Sequence, residues 1–540
     1  MRRLPARPLA IALAVVGVVT TTSVTAPARA EAPPVTEDGA KALAAALKDG
    51  LARWFPKTED SIDLRWKGEP VAVPAGDHYE VTMPPVTAVE EDGTSIEVGS
   101  VRLTVTPQDG GTHAITATLP DAIPVLNNGK PGATIRIGRQ RFSGVWSGAY
   151  ETLLSVDADY GDLSVTSDKK AGKNGKKDES ALTVGSVTMT GDLKPDGTSA
   201  GASTWSGPGA LSVSNVRFLD EHKKEVMTLA GLTAEGSYTR VDLSRAAAMQ
   251  RLTQTHALAG TEPTAAEVIP LMQGLMAGAS FRMRLTGLKG ENPEDGTRLE
   301  LAQFSTRSSV EDLDKPLAGA TLGFEASGLS MTPPAAPKAF MPDKLDVQIS
   351  AAKLPTATLW KAFADLATLA ESQAQNDEEE EDGEDAADPQ SEAIMNRLVG
   401  AMAEVGSELR IDTLAVNTPA TSGTVTGSMR MAANSAYGAV GGATVLLRGL
   451  DAAAKALQPK PGQKADKEMQ STLGVIAMLQ AMGQASKDEA GNDVRSYKID
   501  LTETGQMLLN GADMAPLLGG AGAEPEAEPE PAPKKGSKKL

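Results

Sequence analysis

Val101-Arg102-Leu103-Thr104-Val105 alternates apolar and polar side chains residue by residue, and Ile135-Arg136-Ile137 and Leu182-Thr183-Val184 do the same. A period of two puts the apolar set on one face of a β-strand and leaves the other face to water. The breaks between such runs carry Asp109-Gly110-Gly111, Asn127-Asn128-Gly129 and Asp196-Gly197. These residues tolerate the positive φ that tight hairpin turns need. From about Ser61 to Val241 the chain therefore predicts a long antiparallel meander with one buried face.

Helical spacing flanks and interrupts this pattern. Upstream, Leu43, Leu47, Leu51 and Trp54 recur every three or four residues until Pro56, which predicts a helix docked on the sheet. Downstream, Thr264 and Glu267 make a capping box before Val268, Leu271, Met272, Leu275 and Met276, with Pro270 placed to kink that helix. A further helix is expected over 358–374, with Leu359, Phe363, Leu366 and Ala370 on one side. Ser391 can cap another, faced by Ile394, Met395, Leu398, Val399 and Met402, and a last one carries Met469, Leu473, Ile476, Leu479 and Met482. Strands return near 281–288, 345–350, 408–416, 424–431 and 494–502.

Two short phrases recur. Leu163-Ser164-Val165, Leu211-Ser212-Val213 and Leu329-Ser330-Met331 share one, and Leu229-Ala230-Gly231-Leu232, Leu285-Thr286-Gly287-Leu288 and Leu447-Arg448-Gly449-Leu450 share the other. Their spacing is too irregular for a solenoid repeat. The fold class that follows is α+β: a large, twisted, mainly antiparallel sheet with amphipathic helices packed on one face. A β-rich region with its leading helix is expected over 31–245, and a mixed strand and helix region over 246–515.

The ends and one insert have a different character. Arg2, Arg3 and Arg7 precede an apolar run from Leu9 to Val19, and Ala28-Arg29-Ala30 places small residues where a signal peptidase needs them. That order predicts a signal peptide over 1–30 and work in a bacterial periplasm, with secretion or an N-terminal inner-membrane anchor as alternatives. The 11-residue run is short of the about 20 residues a spanning helix needs. Residues 377–388 hold nine acidic side chains in twelve, a self-repelling solvated run without the ligand spacing of a calcium loop. Lys169 to Lys177 is a basic loop, and 516–540 is an Ala-, Glu-, Pro- and Lys-rich tail expected to be disordered.

Composition excludes several functions. The chain has no cysteine, so disulfides cannot staple it and buried area must hold it. Its net charge of −18 falls to −22 once the four arginines of residues 1–30 are removed. An acidic chain with 4% aromatics suits neither nucleic-acid phosphates nor stacked bases. His78, His113, His222 and His256 show no metal-ligand spacing, and neither a P-loop nor a strand-linked GxGxxG occurs. No metal and no cofactor is expected. Gly197-Thr198-Ser199-Ala200-Gly201 matches the GxSxG nucleophile elbow by letter. It lacks the preceding buried strand and following helix, so a hairpin loop is the better reading and no catalytic residue is assigned. Trp146-Ser147-Gly148 and Trp205-Ser206-Gly207 are expected at strand ends, each with an anchoring aromatic.

The ending of the chain, Gly474 to Gly483, then Tyr497-Lys498-Ile499-Asp500-Leu501 and Leu508-Leu509-Asn510-Gly511, resembles the YdgA-like envelope proteins of Gram-negative bacteria. So does the order of exported N-terminus, meandering strands and amphipathic helices. The resemblance implies an envelope location and no catalytic residues. Non-enzymatic binding of a lipid or other hydrophobic ligand is the expected role, with Met- and Leu-rich helices as one wall of the site. An envelope module that pairs through its edge strands is the alternative, and a hydrolase using Ser199 the second.

Overall fold

The sheet forks at β11 (Thr152–Ser167). Along one edge, the first part of this strand pairs with β10 (Arg139–Ser147) and the last part with β9 (Lys130–Arg136). One leaf continues from β10 through β7 (Thr112–Thr118), β6 (Arg102–Gln108) and β3 (His78–Thr82) to β2 (Val71–Ala75). The other continues from β9 through β8 (Ala122–Asn127), β5 (Thr94–Gly99) and β4 (Val86–Val89) to β1 (Asp63–Trp66). The structure, a computed structural model, describes residues 31–54, 63–90, 92–167, 181–196, 204–220, 223–293, 295–334, 338–374, 389–458, 467–488 and 491–514. Among these, all strand pairings are antiparallel and belong to one sheet.

The two leaves face each other as a sandwich. Ile96, Ile123 and Ile135 of one leaf share a core with Val81, Leu103 and Val105 of the other, all nearly inaccessible to water. The alternation at 101–105 is thus realised as expected, with Leu103 and Val105 inward and Arg102 outward. Helix α1 (Glu37–Trp54) adds Leu43, Leu47 and Leu51 to this core. Each buried leucine contributes roughly 2 kcal/mol of apolar transfer. At the start of α1, the Thr36 amide donates to Tyr79 Oη at 3.3 Å, fixing the helix to β3.

From the other edge of β11 a single layer runs outward: β12 (Ala181–Asp192), with the two-residue β13 (Lys194–Pro195) beyond it, then β14 (Thr204–Leu219) and β15 (Glu225–Asp242). The meander continues with β16 (Gly278–Glu291), β17 (Arg298–Glu311), β18 (Leu317–Thr332) and β19 (Lys344–Pro355). It ends with β20 (Glu408–Asn417), β21 (Ser422–Met431) and β22 (Ala439–Arg448), and then β24 (Asp493–Leu501). Short β23 (Gln484–Lys487) and β25 (Met507–Leu509) share the far edge of β24, and β26 (Ala512–Asp513) pairs with β25. The layer is continuous across residue 245, because β15 and β16 are hydrogen-bonded neighbours.

Helices gather along the margins of this layer. α2 (Leu243–Ala259) and α3 (Ala265–Met272) link β15 to β16, and α4 (Thr356–Ala374) and α5 (Pro389–Val405) link β19 to β20 at the same margin. They touch in sequence, α2 to α3 to α4 to α5, with an Arg397–Asp365 ion pair joining the last two. α6 (Leu450–Ala456) and α7 (Lys467–Met482) link β22 to β23 at the opposite margin. The expected helices are present and the Thr264–Glu267 capping box forms. However, α3 ends at Met272, two residues after Pro270, and leaves Leu275 and Met276 outside it. α5 starts at Pro389, so Ser391 lies within its first turn and does not cap it. Two helices escape a stripe-based reading. α6 is only seven residues long, and α2 (LSRAAAMQRLTQTHALA) has scattered apolar residues. What starts α2 is a cap: the Asp242 carboxylate accepts from the amides of Ser244 and Arg245 at 2.9 and 3.2 Å.

A crease crosses seven strands of the layer. Asp162, Asn215, Gly287 and Gly328 have φ of 53°, 52°, 62° and 65°, one on every second strand. Between them lie Gly185, Ala230 and Ala302, whose neighbours pair on either side of the gap. Each irregularity shifts the inward set by three residues instead of two, so Val213 and Val216, or Leu285 and Leu288, stay on one face. Irregularities of this kind bend strands and raise twist.

Candidate functional site

One face of the layer is apolar from end to end. Ala158, Met189, Leu211, Ala234, Met283, Thr306, Phe324, Val347, Leu414, Val425, Val445 and Tyr497 are successive cross-strand partners from β11 to β24. Directly opposed residues share a face, so these side chains form one row, with the hydroxyls of Thr306 and Tyr497 its only polar groups. A parallel row runs Phe281, Ser308, Leu322, Ile349 and Ile411. Another runs Tyr238, Ala279, Val310, Ala320, Ala351, Leu409 and Met429.

In the middle of the layer, none of the described residues covers these rows. Leu322 is 62% exposed and Phe281 47%, and Leu211, Tyr238, Phe324, Ile349, Leu409, Leu414 and Met429 are also exposed. A contiguous apolar surface of this extent marks a binding site far more often than chance surface. The expectation that helices would pack on one face is therefore corrected for this stretch: they line the margins and leave the apolar face open. The physical cause is topological, since each helical insertion leaves and rejoins the sheet at strand ends.

The open face is hollowed. A depression of about 410 Å³ is lined by Tyr238, Phe281, Val310, Leu322, Ile349 and Leu409 with small residues between them, and no charged side chain contributes to it. A neighbouring depression of about 380 Å³ shares Gly236, Tyr238 and Phe281 and extends to Leu211, Met189 and Val156 at the sandwich. Backbone amides and carbonyls in the interior of a sheet are consumed by the ladder, so the polar atoms left on the floor are hydroxyls, those of Ser308 and Tyr238 among them.

The opposite face of the same strands is polar and charged. Arg282 and Arg307 stand directly opposed, Glu325 opposes Asp346, and Lys344 meets Glu325 at 3.3 Å. Ser237 and Ser280 hydroxyls lie 2.8 Å apart on that side. Near the margin, Lys353 and Arg410 both bond Glu408, at 2.7 Å for the lysine, and hold its carboxyl down at about 2. In the sandwich, burial pushes the Tyr160 phenol above its ordinary value and the His113 imidazole below its own, so both are neutral near pH 7.

The histidines remain scattered: His113 is buried in β7, His78 pairs with Asp77 at the start of β3, and His256 contacts Thr261 and Glu267 beside α3. His222 and Ser199 lie outside the described residues, as do residues 1–30, Lys169 to Lys177, 377–388 and 516–540. Ser147 ends β10 beside the fully buried Trp146, and Trp205 lies near the start of β14. Among the described residues, no group of three or more His, Asp or Glu converges to hold a metal ion. No described helix is long and apolar enough to cross a membrane.

No family model matches the chain, and no curated protein or solved structure is significantly similar to it. The apolar face must be interpreted from its own chemistry. The sequence suggested a sheet faced by Met- and Leu-rich helices as a hydrophobic wall, and in this stretch the exposed apolar side chains belong to the sheet. A signal was available: the Leu-Ser-Val and Leu-Thr-Gly-Leu phrases put their large residues on this face, in a region with too few helices to cover it.

Proposed function

We propose that the protein is an exported envelope protein that binds a lipid, holding its acyl chain along the apolar face of the single-layer sheet. The observation that carries this reading is the row from Ala158 to Tyr497, apolar but for Thr306 and the Tyr497 hydroxyl, open to solvent in its middle and with no charged residue lining the depression beside Leu322. Hydrocarbon is the occupant that fits. A peptide laid on the floor would bury most of its amides without partners, since a few hydroxyls cannot satisfy them all, at roughly 1–3 kcal/mol each. An acyl chain has no polar group to satisfy and gains about 0.8 kcal/mol per buried methylene. A second flat sheet would leave the depression unfilled, which forfeits the packing contacts that a flexible chain makes. The basic, apolar and small-residue order of residues 1–30 supports work outside the cytoplasm, where free lipid chains need shelter from water.

The test is native mass spectrometry of the protein purified from the envelope and of protein incubated with fluid-phase lipid vesicles. Bound lipid at defined stoichiometry is expected, and Leu322→Asp should reduce it at least tenfold by placing a carboxylate on the floor. Ser305→Asp, on the opposite face, should leave binding unchanged. Apoprotein alone in both preparations, with no transfer from vesicles, would overturn the reading.

A further inference from the structure

We infer that the groove is closed at both ends and takes chains broadside, so that it holds a lipid of bounded length and is not a conduit along which chains pass. This rests on the lipid reading above and goes beyond it by fixing the size class of the occupant. At one end the apolar row runs into the sandwich, where Ala158, Tyr160 and Leu163 are buried under the second leaf. Side chains already fill that space, and a chain has no way onward. At the other end the row finishes at Tyr497, which is only 5% exposed. Its hydroxyl donates to the Leu479 carbonyl in α7 at 2.6 Å, and Asn510 Nδ2 donates to the Met482 carbonyl at 3.0 Å. A Cβ placed on Gly483 would meet the Tyr497 ring at 2.7 Å, so the chain leaving α7 presses against that ring. The C-terminal turn of α7 therefore sits over the row and stops it.

Between these stops, exposed apolar side chains extend from Leu211 on β14 to Met429 on β21. Eight strands at a spacing of about 4.8 Å give an open length of roughly 34 Å. Two leaflets share a hydrocarbon core of about 30 Å, so one ordinary acyl chain reaches about 15 Å. The groove thus matches about two chain lengths, the hydrocarbon of one diacyl lipid with its two chains laid end to end. A polyprenyl chain several times longer exceeds it.

The experiment is displacement of bound cis-parinaric acid, whose fluorescence rises in apolar surroundings, from the full chain. Competitors are saturated fatty acids of increasing length and a long polyprenyl phosphate. Affinity should climb by about fourfold per added methylene while the chain still fits, and the polyprenyl phosphate should compete at least tenfold more weakly than the best fatty acid. Tyr497→Ala, checked for folding by its melting curve, should narrow that gap, and Tyr497→Phe, which keeps the ring, should not. Polyprenyl phosphate that competes with the wild-type protein as well as the best fatty acid would overturn the closed ends while leaving lipid binding intact. Parinaric acid that never binds would instead remove the lipid reading itself.

Discussion

Gly328 shows how tightly single residues constrain this sheet. Its φ of 65° is one that side chains with a Cβ rarely adopt, and a Cβ there would come within 2.5 Å of the Ala302 Cβ on the neighbouring strand. Gly287 stands the same way against Ala230, at 2.7 Å. The crease thus pairs each left-handed residue with a small one, and neither partner can grow alone. Gly328→Ala is expected to cost about 1–3 kcal/mol by combining left-handed strain with the clash. Urea unfolding should show a lower midpoint with an unchanged slope. An unchanged midpoint would mean that the crease relaxes freely and does not set the register. None of this was legible in the sequence, where Gly287 stood inside a recurring short phrase and Gly328 just before another. The long-range pairing that makes them special is set by strands up to 57 residues apart, Ala230 and Gly287 among them.

At the scale of elements, periodicity was legible where one side of a strand is buried and the other is not. The strands of the sandwich alternate cleanly because a second leaf covers them, and α1 shows its leucine stripe because that stripe enters the same core. β17 (RLELAQFSTRSSVE) went unread because neither of its faces is fully buried, so its pattern is weak. The expected strands near 345–350 and 408–416 proved longer, β19 and β20, and a charge cluster holds them together where they leave the helices. Glu408 joins Lys353 of β19 to Arg410 of β20, which holds its carboxyl at about 2 against an ordinary 4.5. A carboxylate with a depressed pKa stabilises the fold above its unfolded value, and that contribution is lost as pH falls from about 4.5 through about 2. The groups are solvent-exposed, so the effect is small. Glu408→Gln should lower the melting temperature at pH 7 by no more than about 2 °C. The difference between variant and wild type should shrink toward zero by pH 2. A difference that persists at pH 2 would show that the variant acts through packing instead of charge.

Across the whole molecule, the same sheet is built to two densities. In the sandwich, strands carry a leaf on each side of a shared core, and Ile123, Val105 and Leu47 are sealed from water. From β16 to β20 the apolar side chains have no facing layer among the described residues, and Leu322 and Phe281 are exposed. Local stability follows buried apolar contact, so opening should be hardest in the sandwich and easiest in the open layer. The arrangement suits a binder, because an acyl chain would supply the missing layer and stabilise the folded state in proportion to its affinity. Hydrogen exchange read by mass spectrometry should therefore find amides of β3, β6 and β11 exchanging last, and those of β16 to β18 exchanging first among the strands. Adding the lipid that the protein binds should slow exchange in β16 to β20 by at least fivefold and leave β3 and β6 unchanged. Uniform protection without ligand would mean that the ladder alone stabilises the open layer, and that its exposed face is not held in reserve for an occupant. Slowing spread equally over the sandwich would point to a chain bound elsewhere than along the row from Ala158 to Tyr497.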